Sequence, residues 1–378
     1  MENIKIYWGA DSDFEVQIDS LNGNHTTLSE IFSHLDKKPP LLAIKNDKID
    51  TSIEPPYDVE NLVIFTDDYG QISEWALLSF SNSVLKNSKL AINNVWLNNP
   101  PSRLYDGIKK VFSNDIIHEN PPKYREFELG NLKNIATNFN NFVIGQDDVI
   151  IKLLSSIYSL KNIKRKKPVS VLFLGDSGVG KTETAKYIST FADDKMLRIQ
   201  FSMQQTAEAF NYIFGAKHGE ACLGRDLIRR ESNVILFDEF DKVPPSLHNA
   251  FYQMFDEGVF VESSYSVNLE KSIILCTTNY MSEQEAENKL GSPIFSRFSK
   301  VIVFKPISVE NKKVVAKKNY DEIFDQLDDE DKILIENNGI LEFYYGKITQ
   351  GYYKNMRMLK NDIEDAVNYE VLKARNII

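Results

Sequence analysis

Three short, nearly uninterrupted apolar runs stand out along the chain: "SVLFLG" from Ser170, "NVILFDE" from Asn233 and "SIILCTTN" from Ser272. None shows the alternation of a strand with one wet face, so each predicts a strand covered on both sides, as in a parallel sheet. Segments with apolar positions three and four apart lie between them, and one such segment, "DDVIIKLLSSIYSLKN", precedes the first. From about Asn138 the pattern therefore predicts repeated β-α-β units and an α/β fold with a parallel sheet. After Pro306 the apolar runs stop; "SVENKKVVAKKNYDEIFDQL" and "NMRMLKNDIEDAVNYEVLKARN" have helical spacing only, which predicts a helical unit over 307–378.

The first third reads differently. "NIKIYWG", "LLAIKN" and "LVIFTD" are strand-like and separated by Asn, Asp, Gly and Pro, while "TLSEIFSHL" and "SEWALLSFSNSVL" are helical and follow Thr or Ser caps. A small α+β domain over 1–118 is expected. In "ENPPKYREFELGN" the pair Pro121 and Pro122 disfavours regular structure, so 119–137 is expected to be a linker, leaving 138–306 for the parallel-sheet domain.

Composition narrows the classes. With 42% hydrophobic and 26% charged residues, the 378-residue chain is neither disordered nor fibrous. Its net charge of -10 is concentrated at the start, where residues 1–120 hold ten Lys+Arg against eighteen Asp+Glu. An acidic surface suits a protein partner better than a phosphate backbone. Cys222 and Cys276 can build neither a disulfide framework nor a four-ligand metal site, which fits a reducing compartment. The opening "MENIKIYWGADSDFE" does not resemble a signal peptide, and no apolar stretch approaches the roughly 20 residues of a membrane span. A cytoplasmic protein without membrane partners is expected. The basic run "KNIKRKKP" reads as a solvated loop, which makes a nucleic-acid-linked motor the least favoured class.

The candidate chemistry centres on "GDSGVGKT", which matches G-x-x-x-x-G-K-[ST] and sits between an apolar strand and the helical "TETAKYISTF". In such a loop Gly175, Asp176, Ser177, Gly178, Val179 and Gly180 turn backbone N–H groups around a phosphate chain. Lys181 reaches the terminal phosphates, and the Thr182 hydroxyl can ligate Mg²⁺. "VILFDE" ends in two carboxylates: Asp238 to hold the Mg²⁺ shell, largely through water, and Glu239 to orient and deprotonate an attacking water. An acidic pair ending a strand is by itself commonly a helix cap; fewer than sixty residues after a P-loop it points to ATP hydrolysis. Asn279 ends a third buried strand, where a polar side chain meets the ligand crevice or begins a turn.

Six segments together resemble the Clp-type AAA+ ATPase module over about 142–376: "VIGQDDVI", "FLGDSGVGKTETAK", "RRESNVILFDEFDKVPPSLHNAFYQMFDEG", "ILCTTN", "SPIFSRFSKVIVFKPIS" and "NMRMLKNDIEDAV". The resemblance implies an AAA+ P-loop domain with a helical lid, an adenine pocket at Val143 and Ile144, and a first sensor at Asn279. It also implies an arginine finger at Arg297 that completes the site of a neighbouring subunit, and a second sensor at Arg357. Without it, both arginines read as surface residues. Family members usually carry Gly-Ala before the second sensor; here Asn355 and Met356 stand there. A finger acting in trans implies a homo-oligomer, in this family a hexameric ring, with ATP and Mg²⁺ as ligands.

One stretch departs from the family. "GAKHGEACLG", Gly215 to Gly224, falls where threading members place a pore loop of the form Gly-aromatic-hydrophobic-Gly, but Gly219 is followed by Glu220, Ala221 and Cys222. A flat aromatic grips a passing chain by apolar contact, which a hydrated carboxylate cannot do. Three readings stay open: a weak grip or one through Leu223 in a shifted register, a site for a specific partner peptide, or a spacer in a ring that threads nothing. His218 and Cys222 are too few for a metal site. The expected function is thus ATP-driven remodelling or regulation of a protein partner recruited by the amino-terminal domain, with a threading unfoldase or disaggregase as the alternative.

Overall fold

The computed structural model describes residues 1–36, 55–192, 195–203, 206–215, 219–335 and 338–378. The strand-like "LLAIKN", at 41–46, lies outside them, as does His218. The chain divides into two compact units that are discontinuous in sequence: Met1–Arg125 with Gln204–Asn233 and Gly258–Leu269, and Glu126–Met203 with Val234–Glu257 and Glu270–Ile378.

In the first unit, strands β1 (Asn3–Tyr7), β2 (Thr26–Thr27), β3 (Tyr57–Ile64), β4 (Leu90–Asn98) and β5 (Ile117–Asn120) form one sheet in the order β2-β3-β4-β1-β5. Every pairing is parallel. Parallel neighbours require crossovers, and the helices Asp11–Asp19, Leu28–Leu35, Glu74–Phe80 and Ser102–Val111 lie in the connections. The mixture of strands and helices expected over 1–118 is present, and its sheet places it among α/β rather than α+β folds. The pattern obscured this because β3 begins with exposed Tyr57, Asp58 and Glu60 and becomes continuously buried only from Asn61. At the carboxyl ends of β1 and β4, the buried Asn99 side chain accepts from the Gly9 N–H (2.9 Å) and donates to the Gly9 carbonyl (2.8 Å). Segments 204–233 and 258–269 add helices Thr206–Phe214 and Leu223–Ile228 and an antiparallel hairpin, Val259–Val261 with Ser266–Asn268.

The second unit contains the sheet that the three apolar runs predicted. Strands β6 (Val169–Leu174), β7 (Leu197–Gln200), β8 (Val234–Asp238), β9 (Ile273–Thr277) and β10 (Lys300–Val303) run parallel in the order β10-β6-β9-β8-β7. Every residue of β6, β8 and β9 is buried. Helices Leu129–Phe142, Asp147–Tyr158 and Lys181–Ser189 contribute to its core together with Phe127. Residues 119–137 are more ordered than a tether: Asn120 closes β5, and the helix beginning at Leu129 includes the last part of the expected linker.

Beyond β10 the chain is helical, with Val309–Asp325, Asp329–Leu334, Ile340–Thr349 and Met356–Ala374 around an apolar core. Buried Tyr353 donates its hydroxyl to the Asp362 carboxylate at 2.5 Å, satisfying a polar tip that burial would otherwise penalise. Among the described residues no helix is long and apolar enough to cross a membrane.

Directly after β8, the chain turns on a cluster of aromatic rings. Phe240 is fully buried, with Phe251 and Phe298 edge-on at 5.2 and 6.0 Å and His248 stacked at 5.8 Å. Removing that ring leaves a cavity whose rigid neighbours cannot readily collapse into it. Phe240→Ala is expected to cost about 3–5 kcal/mol of stability, read as a lower urea midpoint; a loss below about 1 kcal/mol would mean the cluster repacks freely.

Candidate functional site

The loop leaving β6 is shaped by its glycines. Gly175, Gly178 and Gly180 have φ of 134°, 80° and 107°, conformations that strain a side chain. Space is equally restrictive: a Cβ at Gly175 would stand 2.9 Å from the Phe304 carbonyl oxygen, and one at Gly180 2.9 Å from Val143 Cγ1. Gln146 secures the loop from outside by donating to the carbonyls of Val179 (3.2 Å) and Lys305 (2.8 Å) and accepting from the Lys305 N–H.

Lys181 opens the following helix and is only 7% exposed. Its ammonium donates to the carbonyls of Gly175 (2.5 Å) and Asp176 (2.7 Å). Burial lowers its pKa to about 8, against the opposing pull of Asp176, Asp238 and Asp241; Arg357 reinforces the lowering. Asp176 itself points outward and caps the Ser177 N–H at 2.7 Å, so it supports the loop rather than lining the cleft.

The second element is the end of β8. Asp238 is buried, and both carboxylate oxygens are engaged: Oδ1 accepts from the Thr277 hydroxyl at 2.5 Å, and Oδ2 from Arg198 Nε (3.1 Å) and Nη2 (2.5 Å). Glu239 adopts the left-handed region, φ 55° and ψ 47°, which is uncommon for a side chain of its size. Its N–H donates to the same Thr277 hydroxyl at 2.9 Å. One hydroxyl on β9 thus fixes the rotamer of one acidic residue and the backbone turn of the next.

These parts meet in a cleft of about 390 Å³. Val143 and Ile144, Ser177 to Thr182 of the loop and helix start, and Asp238, Glu239, Thr277 and Asn279 at the strand ends all line it. Val315, Lys318 and Glu322 of the first lid helix, with Met356, Arg357 and Lys360 of the last, line it too. Two residues before Arg357, Asn355 is extended (φ -110°, ψ 125°) and its side chain accepts from the Arg357 N–H at 2.9 Å, capping the last helix. That side chain also rests on the P-loop, because a Cβ at Gly178 would come within 2.6 Å of it.

Arg297 is not among the residues lining its own chain's cleft. It donates to Asp256 at 2.7 Å and to the Pro293 carbonyl, and its guanidinium lies over the Tyr252 ring at 4.1 Å. The basic run is largely solvated; Arg165 alone turns back, onto the carbonyls of Lys167 and Pro168.

The Gly219–Cys222 segment belongs to the first unit, where Gly219 lies so close to Gly70 that a Cβ would approach its Cα to 2.9 Å. Glu220 and Ala221 are exposed. Cys222 is buried beside Glu262, and burial pushes its thiol pKa up to about 12. Leu223, named in one of the three open readings as a grip in a shifted register, is completely buried and starts the helix Leu223–Ile228.

Three residues of the site were not singled out from the sequence. Thr277 lay inside the apolar run "SIILCTTN", Gln146 inside the segment "VIGQDDVI", and Arg198 in a stretch for which no element was predicted.

Comparison with known proteins agrees with this geometry. Residues 166–330 match the family described as AAA domain (Cdc48 subfamily). Chaperone protein ClpB of Malacoplasma penetrans is 26% identical over 328 residues, covering 79% of this chain and 45% of that protein. ClpB of Rickettsia bellii is 33% identical over 227 residues, covering 53% and 26%. A closed-state cryo-EM reconstruction of Hsp104 with ATPγS and FITC-casein shares the fold, with a TM-score of 0.53 at 20% identity, covering 79% of this chain and 56% of that one. The chain spans less than half the length of these two curated relatives.

If Thr277 holds the acidic pair as described, Thr277→Val keeps the shape and removes both hydrogen bonds. Stability is expected to fall by about 1–3 kcal/mol, seen in thermal scans, together with nucleotide affinity. Unchanged values for both would show that Asp238 and Glu239 hold their positions without it.

Proposed function

The chain carries a Clp-type AAA+ ATPase module, and from that premise we propose that it binds ATP with Mg²⁺, hydrolyses it, and uses the cycle to remodel or regulate a protein partner. The observation that carries this reading is convergence: the P-loop lysine, the paired carboxylates, Asn279 and the lid arginine Arg357 come from four separate segments into one cleft. Residues with no shared structural purpose meet where a triphosphate would need each of them.

Their roles follow from their chemistry. Val143 and Ile144 offer an apolar wall to the adenine. The loop amides and Lys181 neutralise phosphate oxygens, and Arg357 adds positive charge from the lid. Thr182 and Asp238 supply the hard oxygen donors that suit Mg²⁺, and both line the cleft; the ion would screen phosphate charge when bound. Glu239 takes a proton from water, and Asn279 orients that water.

Arg297 acts from outside the cleft of its own chain, on the nucleotide of a neighbouring copy, which makes the working form a closed ring, in this reading a hexamer in the cytoplasm. The division into an amino-terminal domain over 1–118, a connection over 119–137, a P-loop domain over 138–306 and a lid over 307–378 is part of the same proposal, with the acidic first domain recruiting the partner. Remodelling without threading is favoured over threading because only Glu220 and Ala221 are exposed at the pore-loop position between Gly219 and the buried Cys222.

Glu239→Gln is expected to retain nucleotide binding and lose hydrolysis by at least about 100-fold, the contribution of a positioned general base; a phosphate-release assay beside a fluorescent-nucleotide titration separates the two. Arg297→Ala should also be inactive alone, yet a mixture of the two variants should regain activity, since some interfaces then pair an intact Glu239 with an intact Arg297. A mixture no more active than its components would refute the trans role.

The Lys181 pKa adds a pH dependence. In the empty cleft the ammonium loses its proton near pH 8, well below the ordinary lysine range. Below that pH the charge is ready for phosphate; above it, binding must take up a proton. Affinity for ATP analogues should therefore be level up to about pH 8 and decline by up to about tenfold per unit beyond it, with Lys181→Met weak and flat throughout.

A further inference from the structure

Arg198 does something that the module's expected roles leave unassigned. It lies on β7, whose register sets Arg198 opposite Leu236 and Gln200 opposite Asp238, so its side chain reaches diagonally across to the end of β8. There Nε and Nη2 both donate to Asp238 Oδ2, while Oδ1 is held by Thr277. The carboxylate thereby has protein donors on both oxygens, which leaves less lone-pair capacity for a hydrated cation. The pair is asymmetric: the Arg198 side chain is 41% exposed and that of Asp238 8%. The carboxylate is fixed and the guanidinium is free to leave, since Arg198 also lines the cleft and opens onto its solvent.

We propose that Arg198 is a positioning residue that serves as the counter-ion of Asp238 while the cleft is empty and competes with Mg²⁺ for that carboxylate. The inference rests on the reading that this cleft takes MgATP. Without a counter-ion, a buried Asp238 would be costly to keep charged. With one, a divalent cation arriving near Oδ2 meets both an occupied oxygen and a like charge. Arg198 must swing off Oδ2 before Asp238 joins the cation's shell. Premature cation binding is thus opposed by one ion pair, and the opposition ends only when phosphate oxygens offer the guanidinium another partner. Arg198 and Thr277 together hold Asp238 in one orientation before the cation arrives.

The test is a direct binding measurement on the full chain that does not depend on turnover. A fluorescent, non-hydrolysable ATP analogue is titrated with Mg²⁺ for the wild type, Arg198→Met and Arg198→Lys, and the Mg²⁺ concentration at half-maximal binding is read. Loss of the competitor should lower that midpoint by about threefold to tenfold in Arg198→Met, in line with a partly exposed charge-assisted pair. Arg198→Lys, which keeps the charge and loses the fork, should fall between. In parallel, thermal scans without ligand should show Arg198→Met destabilised and rescued by Mg²⁺ with the analogue more strongly than the wild type.

A midpoint that is unchanged or raised in both variants would overturn the proposal, and the lysine variant decides the matter if the methionine variant does not fold. Failure of the underlying reading looks different: the wild type would then not bind the analogue at any Mg²⁺ concentration.

Discussion

A parallel sheet covered on both faces offers water only the ends of its strands. In β6, β8 and β9 every residue is buried, so a polar side chain can do chemistry there only where the strand stops. Gly175–Thr182, Asp238–Glu239 and Thr277–Asn279 each fall at such a stop. The separation between neighbouring strands, close to 5 Å, then sets how far apart these groups can be. That spacing lets one Thr277 hydroxyl touch both the Asp238 carboxylate and the Glu239 amide. The aromatic cluster packed behind β8 keeps the strand end from shifting, since its largest rings are fully buried.

Positive charge is distributed around this frame in two tiers. Lys181 is buried, its ammonium held by two loop carbonyls and its proton weakened by desolvation. Arg198 and Arg357 line the same cleft from a more open position. Acidic side chains line it as well: Asp238 and Glu239 at the end of β8, and Glu183 and Glu322 on the helices Lys181–Ser189 and Val309–Asp325. Of these, Asp238 is paired directly with Arg198. The lid takes part directly, because the Asn355 side chain touches both the start of its own helix and the backbone at Gly178. The helical unit and the loop therefore touch through one side chain.

The first unit follows another logic. Its sheet is parallel too, and its strand ends are occupied by an internal polar arrangement in which Asn99 serves Gly9 with both ends of its amide. Segments from the middle of the chain complete this unit, including Gly219, whose close approach to Gly70 leaves room for no side chain. The stretch from Gly219 to Leu223 thus has a packing role of its own, with Cys222 and Leu223 committed to the interior.

Legibility in the sequence tracked how local each cause was. Continuous apolar runs reveal strands buried on both faces because burial acts on consecutive residues. A P-loop is readable because its glycine spacing meets backbone demands within eight positions. The helical lid and the acidic pair were legible for the same reason. Arg198, Thr277 and Gln146 were not, since each acquires its role from a partner on a different strand or loop, at separations of 40, 39 and 33 residues. Nor could alternation in β3 reveal whether its neighbours ran parallel, because side-chain direction repeats every two residues whichever way the adjacent strand points. Residue order thus determined the elements and the candidate chemistry at their ends. Tertiary structure alone decided which charges compensate one another and which of the residues after Gly219 remain exposed, because pairing and burial depend on contacts made across the fold.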